Sequence, residues 1–146
     1  MKVAIASDHG GMKIREEIKS LMDEMGISYE DLGCECNQSV DYPDYAVPVA
    51  EKVASGEADR GILICGTGIG MSIAANKVKG IRCALVHDVY SARLTREHND
   101  SNVLAMGERV IGPGLARDIA KTWLQSNFEG GRHANRIGKI GQYENN

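Results

Sequence analysis

At 146 residues, with a formal net charge of −3, the chain can bury one sizeable core and carries no global field that would draw it to nucleic acid or a membrane surface. Its 42% apolar and 25% charged content is that of an ordinary soluble globular protein. No apolar run is long enough to cross a bilayer, and Met1 to Ala6 leads straight into a strand pattern with no signal peptide, so the expected setting is the cytoplasm. Cys34, Cys36, Cys65 and Cys83 form no CxxC pair and no disulfide-like density, which suits a reducing compartment. Cys34-x-Cys36 has no matching second pair for a metal site and reads as two loop thiols.

In chain order, Val3-Ala4-Ile5-Ala6 is a buried strand, followed by Ser7-Asp8-His9-Gly10-Gly11. From Met12 to Met25, Ile14, Ile18, Leu21, Met22 and Met25 recur at helical spacing, and Gly26 stops the helix. Ser28 to Leu32 is a second strand, and Gly33 to Asp44 a polar loop with Asp41, Tyr42 and Pro43. Ala46, Val49, Ala50 and Val53 mark the next helix, in which Pro48 is tolerable only near the first turn. Ile62 to Cys65 is a third strand, with a helix over Ser72 to Lys77 after a glycine turn. Cys83 to Val86 is a fourth strand and Val89 to Glu97 a helix. Val103 to Met106 is a fifth strand, and Leu115 to Gln125 an amphipathic helix. Strict strand–helix alternation predicts right-handed crossovers and a doubly wound, five-stranded parallel sheet between two helical layers, a three-layer αβα sandwich of Rossmann-like type. One domain over residues 1–146 is expected, with a basic tail at 130–146.

In such sheets the ligand lies beyond the carboxyl ends of the strands, so the residues just after each strand carry the information. They are Asp8 and His9, Cys65 to Gly70, His87 and Asp88, and Gly107 to Arg109. The run Cys65-Gly66-Thr67-Gly68-Ile69-Gly70 puts a thiol at the end of a buried strand and glycines at alternating positions where a helix opens. Free N–H groups and a positive helix end there suit an anion or a developing oxyanion; a tight turn needing glycine for its dihedrals is the plainer explanation. No lysine follows as in a P-loop, and the spacing is not that of a dinucleotide fingerprint, which favours a small anionic ligand over ATP or NAD. The tail from Gly130 to Tyr143 carries Arg132, His133, Arg136 and Lys139 without an acidic residue. On a helix, Arg132 and Arg136 project from one face as a forked pair suited to a phosphate dianion, or form a merely solvated basic surface. A thiol beside an oxyanion nest can take a carbon-bound proton while the nest holds the resulting enediolate, as an aldose–ketose isomerisation requires.

These motifs together (Ser7-Asp8-His9-Gly10-Gly11, Asp41-Tyr42-Pro43-Asp44, Ile64 to Gly70, Ala75-Asn76-Lys77, Glu97-His98-Asn99 and Arg132…Arg136) resemble the B-type ribose-5-phosphate isomerases, in the family shared with the galactose-6-phosphate isomerase subunits. The resemblance runs over nearly the whole chain. It implies interconversion of ribose 5-phosphate and ribulose 5-phosphate in the pentose phosphate pathway, with no cofactor and no metal, in a homodimer or tetramer whose site is shared between chains. It also implies roles. Cys65 shuttles the proton between C1 and C2, supported by Thr67. His98 opens the furanose ring with help from Asp8. Gly66, Gly68, Ile69 and Gly70 cradle the enediolate, Asn99 binds sugar hydroxyls, and Tyr42 lines the pocket. His9, Arg109, Arg132 and Arg136 hold the phosphate, while His87 and His133 are left as surface or supporting residues. A second branch of the family lacks the cysteine and uses a glutamate just after the glycine loop; Met71 stands there in this chain, so it resembles the cysteine branch. Two rival expectations are an isomerase of a six-carbon sugar phosphate (allose or galactose 6-phosphate) and a non-catalytic sugar-phosphate-binding protein.

Overall fold

The computed structural model describes residues 1–35 and 37–145. Along the chain run β1 (Lys2–Ser7), α1 (Met12–Met25), β2 (Ser28–Asp31), α2 (Pro43–Ala54), β3 (Arg60–Cys65) and α3 (Ile69–Ala75). They are followed by β4 (Cys83–Leu85), α4 (Val89–Glu97), β5 (Val103–Gly107), α5 (Pro113–Gln125) and α6 (Arg132–Glu144). All pairings are parallel, in the order β2-β1-β3-β5-β4. The order reverses between β1 and β3, so that pair is the switch point, where diverging connections leave a crevice above the strand ends.

The apolar runs form the central strands because both their faces are covered. Ile62 and Ile64 of β3 point into a core with α1, α4 and α5, while Leu63 and Cys65 point into the opposite core with α2 and α3. In the first core the fully buried Trp123 donates its indole N–H to Ser101 Oγ at 2.9 Å. In the second, a Cβ on Gly61 would come within 2.7 Å of Val49 Cγ1, so glycine lets α2 lie close on the sheet. Gly26 ends α1 in the left-handed conformation, φ 67°. Buried Arg15 donates to Ser7 Oγ at 2.8 Å and lies 3.5 Å from Asp31, bracing the end of β1 from below.

Three expectations need correction, and the tail is more closely defined. Helix α2 begins at Pro43, so Pro48 lies inside the helix beyond its first turn; Pro43 at the start is the better placed, its missing N–H being one the first turn leaves without an intrahelical partner. Helix α3 begins at Ile69, not Ser72, because Gly68 adopts φ 78° and starts the turn within the glycine run. The tail is a helix, α6, of which only His133 is buried. Cys34 is buried and disulfide-bonded, not a loop thiol; Cys36 lies outside the described residues. No helix among the described residues is long and apolar enough to cross a membrane.

Candidate active site

The carboxyl rim of the sheet gathers Asp8 and His9 after β1, the glycine turn after β3, and Arg109 after β5. Cys65 is 5% exposed, and its Sγ accepts the Gly68 N–H at 3.0 Å. A donor aimed at sulfur stabilises negative charge there, which suits a thiolate. Thr67 Oγ1 accepts from the Ile69 N–H at 3.3 Å, turning the exposed Thr67 hydroxyl back over the turn. The N–H groups of Gly66, Thr67 and Gly70 have no acceptor among the described residues, so the turn presents several donors to the crevice.

Neighbouring segments hold this turn in shape. The Glu108 and Arg109 N–H groups bond to the carbonyls of Cys65 and Gly66 at 2.9 and 3.0 Å. A Cβ on Gly66 would lie 3.3 Å from an Arg109 terminal nitrogen, so that guanidinium lies over the nest. A Cβ on Gly10 would lie 3.2 Å from Gly66 N and 3.3 Å from Asp8 Oδ1, which places the carboxylate beside the turn. Buried Asp8 keeps its orientation by accepting the Gly10 N–H at 2.8 Å. The Tyr42 ring closes another side, since a Cβ on Gly70 would fall 2.5 Å from its Cζ. His9 Nδ1 accepts the Val40 N–H at 3.2 Å, which leaves the proton of the neutral ring on Nε2.

His87 Nε2 accepts the Gly107 N–H at 3.0 Å. A Cβ on Gly107 would strike the Thr67 backbone at 2.6 Å, so His87 fixes the strand end on which the nest rests. Its position after β4 was a sequence signal; its bond was not. Loss of solvent lowers the His87 pKa, partly opposed by Asp88, and so favours the neutral ring that this bond requires.

The other proposed site residues stand elsewhere in the chain. Each helix that links two parallel strands runs antiparallel to them, so α4 returns from the carboxyl rim to the amino rim, and its C-terminal His98 and Asn99 lie at the opposite pole from Cys65. Nine residues of helix cover about 13 Å. The start of α6 joins them there. The Glu129 N–H bonds to the Glu97 carbonyl at 3.0 Å, and the His98 and His133 rings stack at 4.1 Å between centroids and 9° between planes. His133 is thus buried against His98, and loss of solvent, followed by His98 and Arg132, lowers its pKa. Glu129 went unread in the sequence, because it stands before α6, where helical spacing carries no information. Arg132 and Arg136 lie in the first turns of α6 at this pole. One chain therefore holds two groups of candidate residues on opposite rims.

The switch-point crevice, with its thiol, donor nest and overlying guanidinium, is that of an α/β enzyme acting on a small anionic substrate. The comparisons name the class more narrowly. The model of the ribose/galactose isomerase family matches residues 3–140. YwlF of Bacillus subtilis (strain 168), a protein named among the sugar phosphate isomerases, is 77% identical over 99% of this chain and 97% of its own. Ribose-5-phosphate isomerase B of Escherichia coli (strain K12) is 50% identical over 95% of this chain and 93% of its own. The structure of Clostridium thermocellum ribose-5-phosphate isomerase B superposes with a TM-score of 0.97 at 57% identity, covering 99% of this chain and 98% of that one. A D-erythrulose-4-phosphate isomerase of Pectobacterium atrosepticum is 43% identical over 99% and 95% of the two chains. The chain belongs to the ribose/galactose isomerase family.

Proposed function

We propose that this enzyme interconverts D-ribose 5-phosphate and D-ribulose 5-phosphate through an enediolate. The observation that carries the reading is the buried Cys65 Sγ, held by the Gly68 N–H at 3.0 Å beside a row of unsatisfied donors. In the aldose direction, His98 first moves a proton from the O1 hydroxyl to the ring oxygen, opening the furanose. The Cys65 thiolate then takes the C2 proton, and the electron pair moves to form the C1–C2 double bond as charge develops on O1. The N–H groups of the glycine turn stabilise that oxyanion in a site shielded from bulk water. Thr67 supports proton exchange between O2 and O1, and the Cys65 thiol returns its proton to C1, leaving a ketone at C2. Asp8 assists ring opening, and Tyr42 with Ile69 bounds the sugar. Asn99 binds its hydroxyls, and His9, Arg109, Arg132 and Arg136 grip the phosphate.

This chemistry needs both rims at one substrate, so the working unit is a homodimer or a pair of dimers, in which one chain supplies Cys65 and the nest and another supplies His98, Asn99, Arg132 and Arg136. The exposed Ile69, Ile73, Leu85, Val89 and Tyr90 near the nest support this, because covering such a rim with a second chain removes apolar surface from water. A cytoplasmic place in the pentose phosphate pathway follows from the substrate. The relative named for D-erythrulose 4-phosphate favours a second reading, in which another sugar phosphate fits the same site. Comparing kcat/KM for ribose 5-phosphate with those for four- and six-carbon aldose and ketose phosphates decides between them. The pentose should lead; a preference for allose 6-phosphate, galactose 6-phosphate or erythrulose 4-phosphate overturns the assignment.

A further inference from the structure

We propose that Asp100, gripped by Arg82 and Arg96, is a positioning residue for His98 and Asn99. It follows those two directly, and its φ of 45° is the one positive value among the described non-glycine residues. Helices commonly end on such a left-handed residue, usually glycine, whose N–H turns back to the carbonyl four residues earlier. The Asp100 N–H does so, to Arg96 O at 3.2 Å, and the Ser101 N–H reaches Thr95 O at 3.1 Å. A side chain is sterically disfavoured in this conformation, and glycine would end the helix without that strain. What aspartate adds is its carboxylate, which must offset the strain through the bonds it makes.

Those bonds close a clamp. Asp100 Oδ1 accepts from Arg96 Nη1 at 2.9 Å, and Oδ2 from Arg82 Nη2 at 3.3 Å. Each guanidinium also holds the main chain alongside. Arg82 Nε donates to Asn99 O at 3.0 Å and to Asp100 O at 3.2 Å, and Arg96 Nη1 donates to Ser101 O at 2.6 Å. Three consecutive carbonyls after His98 are thus fixed by charge-assisted donors, one of them from a buried arginine. The two arginines come from different places. Arg82 stands just before β4, its N–H held by Asn102 Oδ1 at 2.8 Å. Arg96 lies within α4, and its Nε reaches Ser126 O at 3.4 Å, in the connection that leads from α5 to α6. The clamp therefore ties the end of α4 both to the sheet edge and to the segment carrying His133, on which the His98 ring stacks. The backbone under His98 is held while its side chain keeps its exposure. The consequence rests on the isomerase reading above: releasing the clamp turns the imidazole away from the ring it opens.

The test replaces Asp100 by glycine in the full chain, which keeps the left-handed turn and removes the carboxylate from both arginines. Arg82→Gln, on another segment, is the second variant and leaves the helix end intact. In single turnovers at saturating enzyme, Asp100→Gly should slow ribose 5-phosphate about 10-fold or more, since a misplacement of about 1 Å can cost on the order of 10²-fold. Ribulose 5-phosphate should change far less, whereas general loosening of the chain slows both alike. Arg82→Gln should show the same selectivity to a smaller degree. Independently of catalysis, the His98 ring protons, shifted upfield in the proton NMR spectrum by stacking on His133, should move towards the position of free histidine in Asp100→Gly. Unmoved ring resonances overturn the proposal. So does equal slowing of both substrates in Asp100→Gly when His98→Asn slows them selectively. Equal slowing in His98→Asn itself discards the ring-opening reading, and the ring resonances then decide the positioning claim alone.

Discussion

The two rims of the sheet are built differently. At the carboxyl rim, the reactive groups stand on the central strands β1, β3 and β5, where the backbone is buried and each turn is bonded to its neighbour. Cys65, Gly66 and Asp8 are fixed by main-chain contacts within one chain. At the amino rim, His98, Asn99, Arg132 and Arg136 hang from the last turn of one helix and the first turns of another, and only His133 of α6 is buried. The first rim holds charge at defined points, as stabilising an enediolate demands. The second offers side chains with room to move, which suits capture of a sugar ring and a phosphate. Under the proposed function neither rim is a complete site: proton transfer at carbon belongs to the first, and ring opening with part of the phosphate grip to the second.

Removing the thiol is the severest way to break this division. Cys65→Ala should lower isomerisation by ~10²–10⁴-fold, the usual worth of a general acid–base group. Exchange of the C2 hydrogen with solvent should disappear in parallel while phosphorylated inhibitors still bind; persistent exchange would name another base. His98→Asn comes next. In single turnovers it should cripple ribose 5-phosphate, which is mostly cyclic, far more than ribulose 5-phosphate, which cannot close a five-membered ring. Equal losses in both directions would remove His98 from ring opening.

Recognition should be affected less. Arg132→Ala or Arg136→Ala should weaken binding of a phosphorylated inhibitor by about 1.5–3 kcal/mol, the worth of a charge-assisted contact. Unchanged inhibitor affinity in both would make that face of α6 a solvated surface. The mildest change concerns His87, which accepts the Gly107 N–H only when neutral. Its pKa is lowered in the folded chain, so the unfolded chain binds the proton more readily, and stability falls as pH drops through and below the ordinary imidazole value of about 6.5. His87→Gln should flatten that acid limb in denaturant titrations at pH 5 to 8; an unaltered slope would mean His87 does not contribute to it.

The sequence made the first rim legible and left much of the second in shadow. A continuous apolar run such as Ile62 to Cys65, bounded by glycines, reads as a strand buried on both faces, and in an alternating α/β chain such a strand end points to the crevice. Sheet order, and hence the switch between β1 and β3, depends on long-range pairing that local periodicity does not encode. The start of α3 was misplaced because Gly70 is a poor helix former, yet the left-handed Gly68 begins the helix one residue before it. Buried Arg15 had no signal, since only the tertiary packing of α1 against the strand ends encloses it, and the stacking of His98 on His133 had none because it joins elements far apart in the chain. Opposite placement of Cys65 and His98 follows from the antiparallel run of α4, and it is visible only once the strands are known to be parallel.

The central claim, that each site takes its thiol from one chain and its ring-opening histidine from another, is tested most directly by mixing two dead proteins. Cys65→Ala and His98→Asn homodimers each lack one essential group at every site. After dissociation and random reassociation at equal concentrations, half the dimers are mixed, and each mixed dimer holds one intact site of two, so about one quarter of the parental ribose 5-phosphate activity should return. No activity above that of the separate variants, with mixed dimers confirmed by native mass spectrometry, would place both groups within one chain's site and contradict the account.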